Sequence, residues 1–184
     1  MACGTFVKPA LVRKMLDTLE LTPDDMLLDP IAGHGFLVQT ILDGAVPAPR
    51  SIVLMDPDEE RYEFLKEMLE LNQPNIPTLA VHGNFLKMRM FRPTAIIMNT
   101  LRFAAKAPAY IKHGYKLLAP CGRLVALVPE SELAGVNRET SEFTHWMRDG
   151  SATVFPAPEH FFSGTKTPVR LVHIRKTSTV PVNK

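Results

Sequence analysis

The sequence predicts an α/β fold: a doubly wound, mostly parallel sheet that closes with an antiparallel strand pair at the C-terminal end. Three observations carry this. Short apolar runs alternate with stretches of helical period, a turn containing two glycines joins the first such run to the helix after it, and the last two apolar runs follow one another with no helix between them. Strands separated by helices pair in parallel, since the crossover must carry the chain back, and both faces of such a sheet become covered. Without a crossover helix the final two strands pair antiparallel.

The elements follow in order. Residues 9–19 place Leu11, Val12, Met15, Leu16 and Leu19 on one helical face. Residues 26–28 and 51–55 read as buried strands, with a helix over 35–42 between them. Residues 58–71 form a helix on which Tyr62, Leu65, Met68 and Leu69 share a face, and acids fill its first turn, where the helix dipole favours them. Residues 78–81 are a weak strand and 95–98 a stronger one. A helix over 109–118 ends at Ala119-Pro120-Cys121-Gly122, and 123–128 is the clearest apolar strand. The helix over 138–149 buries Phe143 and Trp146 and closes at Gly150; strands over 151–155 and 169–174 complete the set. Residues 1–176 are expected to form one domain, and 177–184 a loose tail.

Composition bounds the function. A hydrophobic share of 46% and a charged share of 22% in 184 residues are those of a globular protein with a sizeable core. No apolar run approaches the roughly 20 residues of a membrane span, and the N-terminus does not have the pattern of a signal peptide. Cys3 and Cys121 read as free thiols of a reducing cytoplasm, and the six histidines lack metal-ligand spacing, so no metal is expected. The net charge of +2 conceals an asymmetry. Residues 1–84 hold 6 Lys/Arg against 13 Asp/Glu, a balance of −7, and residues 85–184 hold 15 against 6, a balance of +9. The basic half suggests a nucleic-acid partner; a solvated surface is the competing reading.

The richest stretch is Met26-Leu27-Leu28-Asp29-Pro30-Ile31-Ala32-Gly33-His34-Gly35-Phe36. An apolar strand ends in Asp-Pro, a small-residue turn follows, and a helix begins. Glycines let backbone N–H groups approach a ligand closely, and a helix start favours an anion, so the turn reads as a cradle for a nucleotide-like cofactor. The competing reading is a turn that merely needs its glycines. Ligands of such sheets bind at the carboxyl ends of strands, which here fall after Leu28, Met55, Val81 and Met98.

Several separated strings together resemble class I S-adenosylmethionine-dependent methyltransferases, a Rossmann-like family, and most of all their small N6-adenine type found in phages and mobile elements. Asp29-Pro30-x-Ala32-Gly33-x-Gly35 resembles the cofactor loop. The run from Gly114 to Ala126 resembles the family's helix-to-strand segment "AYxLLKPGGRLVA", and Phe162-Ser163-Gly164-Thr165 its approach to the last strand. The resemblance implies S-adenosylmethionine as cofactor, held by Phe6, Lys8, Pro9, Asp29, Ala32, Gly33, Gly35, Asp56, Asn84 and Phe85, with Asn99, Arg102 and Phe103 at the acceptor.

The departures from the family bear on activity. Lys8 replaces a Thr, and Asn84 replaces an Asp that pairs with the adenine amino group. Counting back from Asp56-Pro57 puts Leu54 in the place of the acid that accepts the ribose hydroxyls, with Asp56 two residues on. The family's acceptor motif is Asn-Pro-Pro-aromatic, whereas this chain has Asn99-Thr100-Leu101-Arg102 followed by Phe103. Losing the prolines restores backbone freedom and an N–H, and Arg102 takes the stacking place, where a guanidinium can stack on a base or bind phosphate. Two readings stay open: a methyltransferase with an altered acceptor site, and a catalytically silent module that binds nucleic acid or a protein.

Overall fold

A computed structural model describes residues 8–44, 46–150, 152–157 and 168–177. Phe6, Cys3, His160, the 162–165 string and residues 178–184 lie outside the described residues. Among the described residues seven strands make one sheet in the order β3-β2-β1-β4-β5-β7-β6. They are β1 (Met26–Asp29), β2 (Ser51–Asp56), β3 (Thr78–His82), β4 (Ala95–Asn99), β5 (Arg123–Pro129), β6 (Thr153–Ala157) and β7 (Val169–Arg175). The pairings β1–β2, β2–β3, β1–β4 and β4–β5 are parallel; β7 is antiparallel to both its neighbours, β5 and β6.

The helices are α1 (Pro9–Leu19), α2 (Phe36–Leu42), α3 (Glu59–Asn72), α4 (Ala107–Leu117) and α5 (Arg138–Asp149). Successive strand residues point to opposite faces, and the core divides accordingly. Leu27, Leu54, Ile97, Val125 and Leu127 pack with α1, α2 and Leu65 of α3. Leu28, Met55, Ile96, Met98 and Ala126 pack with α4 and α5.

Local chemistry accounts for the boundaries. Pro9 starts α1, where a missing N–H is harmless, and Leu11, Val12, Met15, Leu16 and Leu19 are all buried. No side chain caps that start; burial, at about 1.5–3 kcal/mol per aliphatic side chain, holds the helix. At its other end, Arg123 of β5 donates from Nε to the Leu19 carbonyl at 2.8 Å and from Nη2 to that of Glu20 at 3.1 Å. Asp58 caps α3 by accepting from the Arg61 N–H, and Asn137 and Thr140 form a reciprocal capping box on α5. Lys176, just past β7, donates from Nζ to the carbonyls of Tyr115, Lys116 and Leu118 at 3.1, 3.2 and 2.7 Å. It closes the C-terminal end of α4 and fastens the reversed strand to the helix beneath it.

On α3 Leu65 is fully buried and Met68 and Leu69 pack half-buried against the same core cluster, while Tyr62 is half-buried, because this helix covers the edge of the sheet. Other expectations need correction. Trp146 is half-buried, although Phe143 is enclosed. Helix α4 begins at Ala107, two residues early, since Pro108 suits the first turn. Strand β6 runs Thr153–Ala157, displaced from the expected 151–155. Short 3₁₀ turns follow β3 at Phe85–Lys87 and β5 at Glu130–Leu133, and Thr100–Lys106 after β4 is 3₁₀ on either side of a kink at Phe103, whose φ of −120° and ψ of 41° are not helical; runs this short carry no periodicity that a sequence pattern detects.

Candidate functional site

The ends of β1, β2 and β4 bring together the residues with most chemistry. The turn after β1 keeps its shape through backbone bonds: Ala32 N–H donates to the Met55 carbonyl at 2.9 Å and Gly35 N–H to the Ala32 carbonyl at 2.9 Å. Gly33 and Gly35 both have positive φ, +60° and +74°. They differ in what surrounds them. A Cβ on Gly35 would stand 3.0 Å from Leu65 Cδ2 and 3.1 Å from Met68 Cε, the ends of two α3 side chains that would have to give by a few tenths of an ångström. A Cβ on Gly33 would meet nothing within 4 Å, so the turn is open above that residue.

Two buried carboxylates flank the turn. Asp56, which ends β2, is wholly buried and accepts three donors. Its Oδ2 takes the Gly33 N–H at 2.9 Å, and its Oδ1 takes the Asp58 N–H at 3.1 Å and Arg102 Nη2 at 2.9 Å. Asp29, which ends β1, is treated differently. Among the described residues its Oδ1 accepts the Ile31 N–H alone, at 3.3 Å, and its Oδ2 is buried without a partner. Burial pushes its pKa up to about 7; the Ile31 N–H opposes the rise and the nearby Asp56 charge adds to it.

Leu54, by contrast, is fully buried beside Leu65 and lies two residues inside the strand. Strand β2 continues to Asp56, so the acid at this strand end is Asp56, and Leu54 is a core residue. The strand end expected at Met55 falls one residue short, and Asp56 is the last residue of β2.

After β4 the chain enters a 3₁₀ turn. Asn99 caps it, its Oδ1 accepting the Leu101 N–H at 3.2 Å. Thr100 turns inward, wholly buried, and its Oγ1 donates to the Leu127 carbonyl at 2.5 Å. Arg102 lays its guanidinium 4.5 Å from the Phe103 ring centre, and Phe103 stacks on Tyr110 of α4 at 5.6 Å and 11°. Tyr110 also contacts Phe85, which is enclosed and meets His113 edge-on at 4.8 Å. Burial raises the Tyr110 pKa, opposed by Arg102 and reinforced by Asp56. Burial lowers that of His113, whose Nε2 lies 3.1 Å from the Met88 carbonyl. Asn84 repeats the capping role of Asn99, its Oδ1 accepting the Leu86 N–H at 3.0 Å.

The sheet order, with one reversed strand between β5 and β6, narrows the architecture, and comparison with solved structures decides it. A candidate class I S-adenosylmethionine-dependent methyltransferase from Listeria monocytogenes superposes with a TM-score of 0.71 at 15% identity, over 95% of this chain and 60% of its own. A dimethyladenosine transferase from Plasmodium falciparum gives 0.70 at 17% identity, over 93% and 63%. An O-methyltransferase from Bacillus cereus, solved in complex with SAH, gives 0.68 at 14%, over 94% and 84%. The fold is that of the class I methyltransferases. This chain spans about three-fifths of the Listeria and Plasmodium proteins. Neither a protein-family model nor a curated protein matches its sequence.

Within this methyltransferase fold, Asp29, Ala32, Gly33, Asp56 and Arg102 gather around the strand-end turn. Asn99 stands at the end of β4, and Phe103 lies against α4 instead of beside Asn99. Phe85 is a core ring whose packing supports the turn after β3. Lys8 and Pro9 are exposed at the start of α1. Sequence reasoning missed the Arg102–Asp56 contact and the place of Tyr110 beneath Phe103. The first joins residues 46 apart, and no spacing signals it. Among the described residues no group of three or more His, Cys, Asp or Glu is placed to hold a metal ion, and no helix is long and apolar enough to cross a membrane.

Proposed function

We propose that this protein is of N6-adenine methyltransferase ancestry, binds S-adenosylmethionine over residues 29–35, and has an acceptor turn that no longer has the adenine-methylating form. The supporting observation is the strand-end pairing of Asp56 with the Gly33 N–H beneath a turn that is open above Gly33. Asp56 supplies the acceptor that a ribose diol needs, the unpartnered Oδ2 of Asp29 has an unused lone pair for a donor, and Asn84 offers an amide for an adenine edge. The residues therefore fit the group in kind. S-adenosylmethionine, when bound, supplies an electrophilic methyl group. The chain's own part is to hold the cofactor in line with an acceptor nitrogen and exclude water.

A second reading, a catalytically silent binding module, draws support from the turn after β4. Asn99 Oδ1, the Thr100 hydroxyl and the Arg102 guanidinium are each committed to partners within the chain. Calorimetric titration divides the two readings. Binding of S-adenosylmethionine that Gly33→Leu abolishes supports a cofactor site. Heat-silent titration at millimolar cofactor leaves the module.

For a partner, the excess of Lys and Arg in residues 85–184 favours nucleic acid. Its affinity for single-stranded DNA should then fall steeply between about 50 and 200 mM salt, since phosphate contacts release counterions. An affinity indifferent to salt would refute that partner.

A further inference from the structure

We infer that Arg102 is a latch on the strand-end cleft: its ion pair with Asp56 keeps the site closed to a nucleoside, and a ligand enters by displacing it. The inference rests on the cofactor reading above and adds how access to that site is controlled. Asp56 ends β2 and Arg102 follows β4, and in the sheet order β1 with its glycine turn lies between them. Arg102 therefore reaches past the end of β1 to the carboxylate that also holds the Gly33 N–H.

Of the three donors on Asp56, two are backbone N–H groups of Gly33 and Asp58, fixed by their own turns. Arg102 is the side-chain donor, and so the one that can leave without refolding the backbone. A vicinal diol that sought Asp56 would compete for the lone pair that Arg102 holds.

The two partners are unequal in a way that suits a latch. The side chain of Arg102 is 31% exposed, whereas that of Asp56 is fully buried. Arg102 can swing into water and regain hydration. Asp56 stays behind with its two backbone donors, and its charge then lacks the third donor until a ligand hydroxyl arrives. The open, empty state is thereby disfavoured, and ligand binding shifts the population. The closed state is braced: the guanidinium lies on Phe103, Phe103 stacks on Tyr110, and Thr100 ties the turn to Leu127.

The test is calorimetry with SAH, which lacks the sulfonium charge that would itself repel Arg102. The expected result is that Arg102→Ala binds SAH about tenfold more tightly than the unaltered chain, with Arg102→Gln between the two. In the unaltered chain, saturating SAH should move the Arg102 Nε–H resonance to the position of a solvated guanidinium. That readout needs only the native protein should a variant fail to fold. Binding equal or weaker in Arg102→Ala, or an Arg102 Nε–H resonance that SAH leaves in place, overturns the latch and leaves the cofactor site standing. Absence of SAH binding in every folded form removes both.

Discussion

Asp29 and Asp56 end neighbouring parallel strands, and the fold treats their carboxylates oppositely. Asp56 accepts three N–H donors, one of them a guanidinium, while Asp29 accepts one and keeps Oδ2 buried and bare. One site thus contains a well-satisfied buried carboxylate beside one that holds its proton to about pH 7.

That contrast sets a pH dependence. The pKa of Asp29 is raised in the folded state from 3.8 to about 7, so between these values the native form binds the proton and the unfolded form does not. This group's contribution to stability is complete below about pH 4 and declines as pH rises towards 7. At 1.36 kcal/mol per unit, the loss between pH 5 and pH 8 is about 3 kcal/mol. Urea unfolding at both pH values, for the unaltered chain and for Asp29→Asn, should show this difference only in the former.

The two turn glycines should respond differently to substitution. Gly35→Ala forces a residue into positive φ, at about 1–2 kcal/mol, and also displaces the Leu65 and Met68 side-chain ends that stand 3.0–3.2 Å from the new methyl, so it should be the costlier of the two. Gly33→Ala meets open space and carries only the backbone strain, about 1–2 kcal/mol. Denaturant midpoints measured side by side should keep this order.

At the opposite end of the sheet, Arg123 meets Asp25 at 2.5 Å and also closes α1. Asp25 is nearly buried. Its desolvation is outweighed by hydrogen bonds from Thr94 and Thr22 and by the Arg123 charge, and its pKa is lowered. Removing one partner of such a pair leaves a buried charge, so Arg123→Ala should cost about 3 kcal/mol in a thermal or urea melt. Arg138→Ala, whose pairing with Glu142 is on an exposed helix face, should change the melt hardly at all.

The acceptor turn yields a gain-of-function prediction. Replacing Thr100 and Leu101 by proline and Arg102 by phenylalanine removes the Leu101 N–H that Asn99 Oδ1 accepts, freeing that amide, and also removes the contact with Asp56. On the proposed ancestry, transfer of a labelled methyl group to adenine in single-stranded DNA should appear in the triple variant. Absence of transfer, with cofactor binding intact, would show that more than this turn has changed.

Much of this architecture was legible in the sequence because its causes are local. The start of α1 at Pro9, the Asp58 cap of α3, the glycine turn after β1 and the near-continuous apolar runs of β4 and β5 each depend on residues within a few positions of one another. The antiparallel pairing of the final two strands was legible for the same reason, since the sequence shows no helical period between them. What only the tertiary structure decided involves groups far apart in the chain. The end of β2 at Asp56 depends on pairing with β3, the commitment of Asp56 to Arg102 links positions 56 and 102, and the proton on Asp29 follows from burial by the whole sheet. Hydrogen-bond partners and local dielectric at a strand end are set by which elements arrive there, and that depends on how the strands are ordered in space.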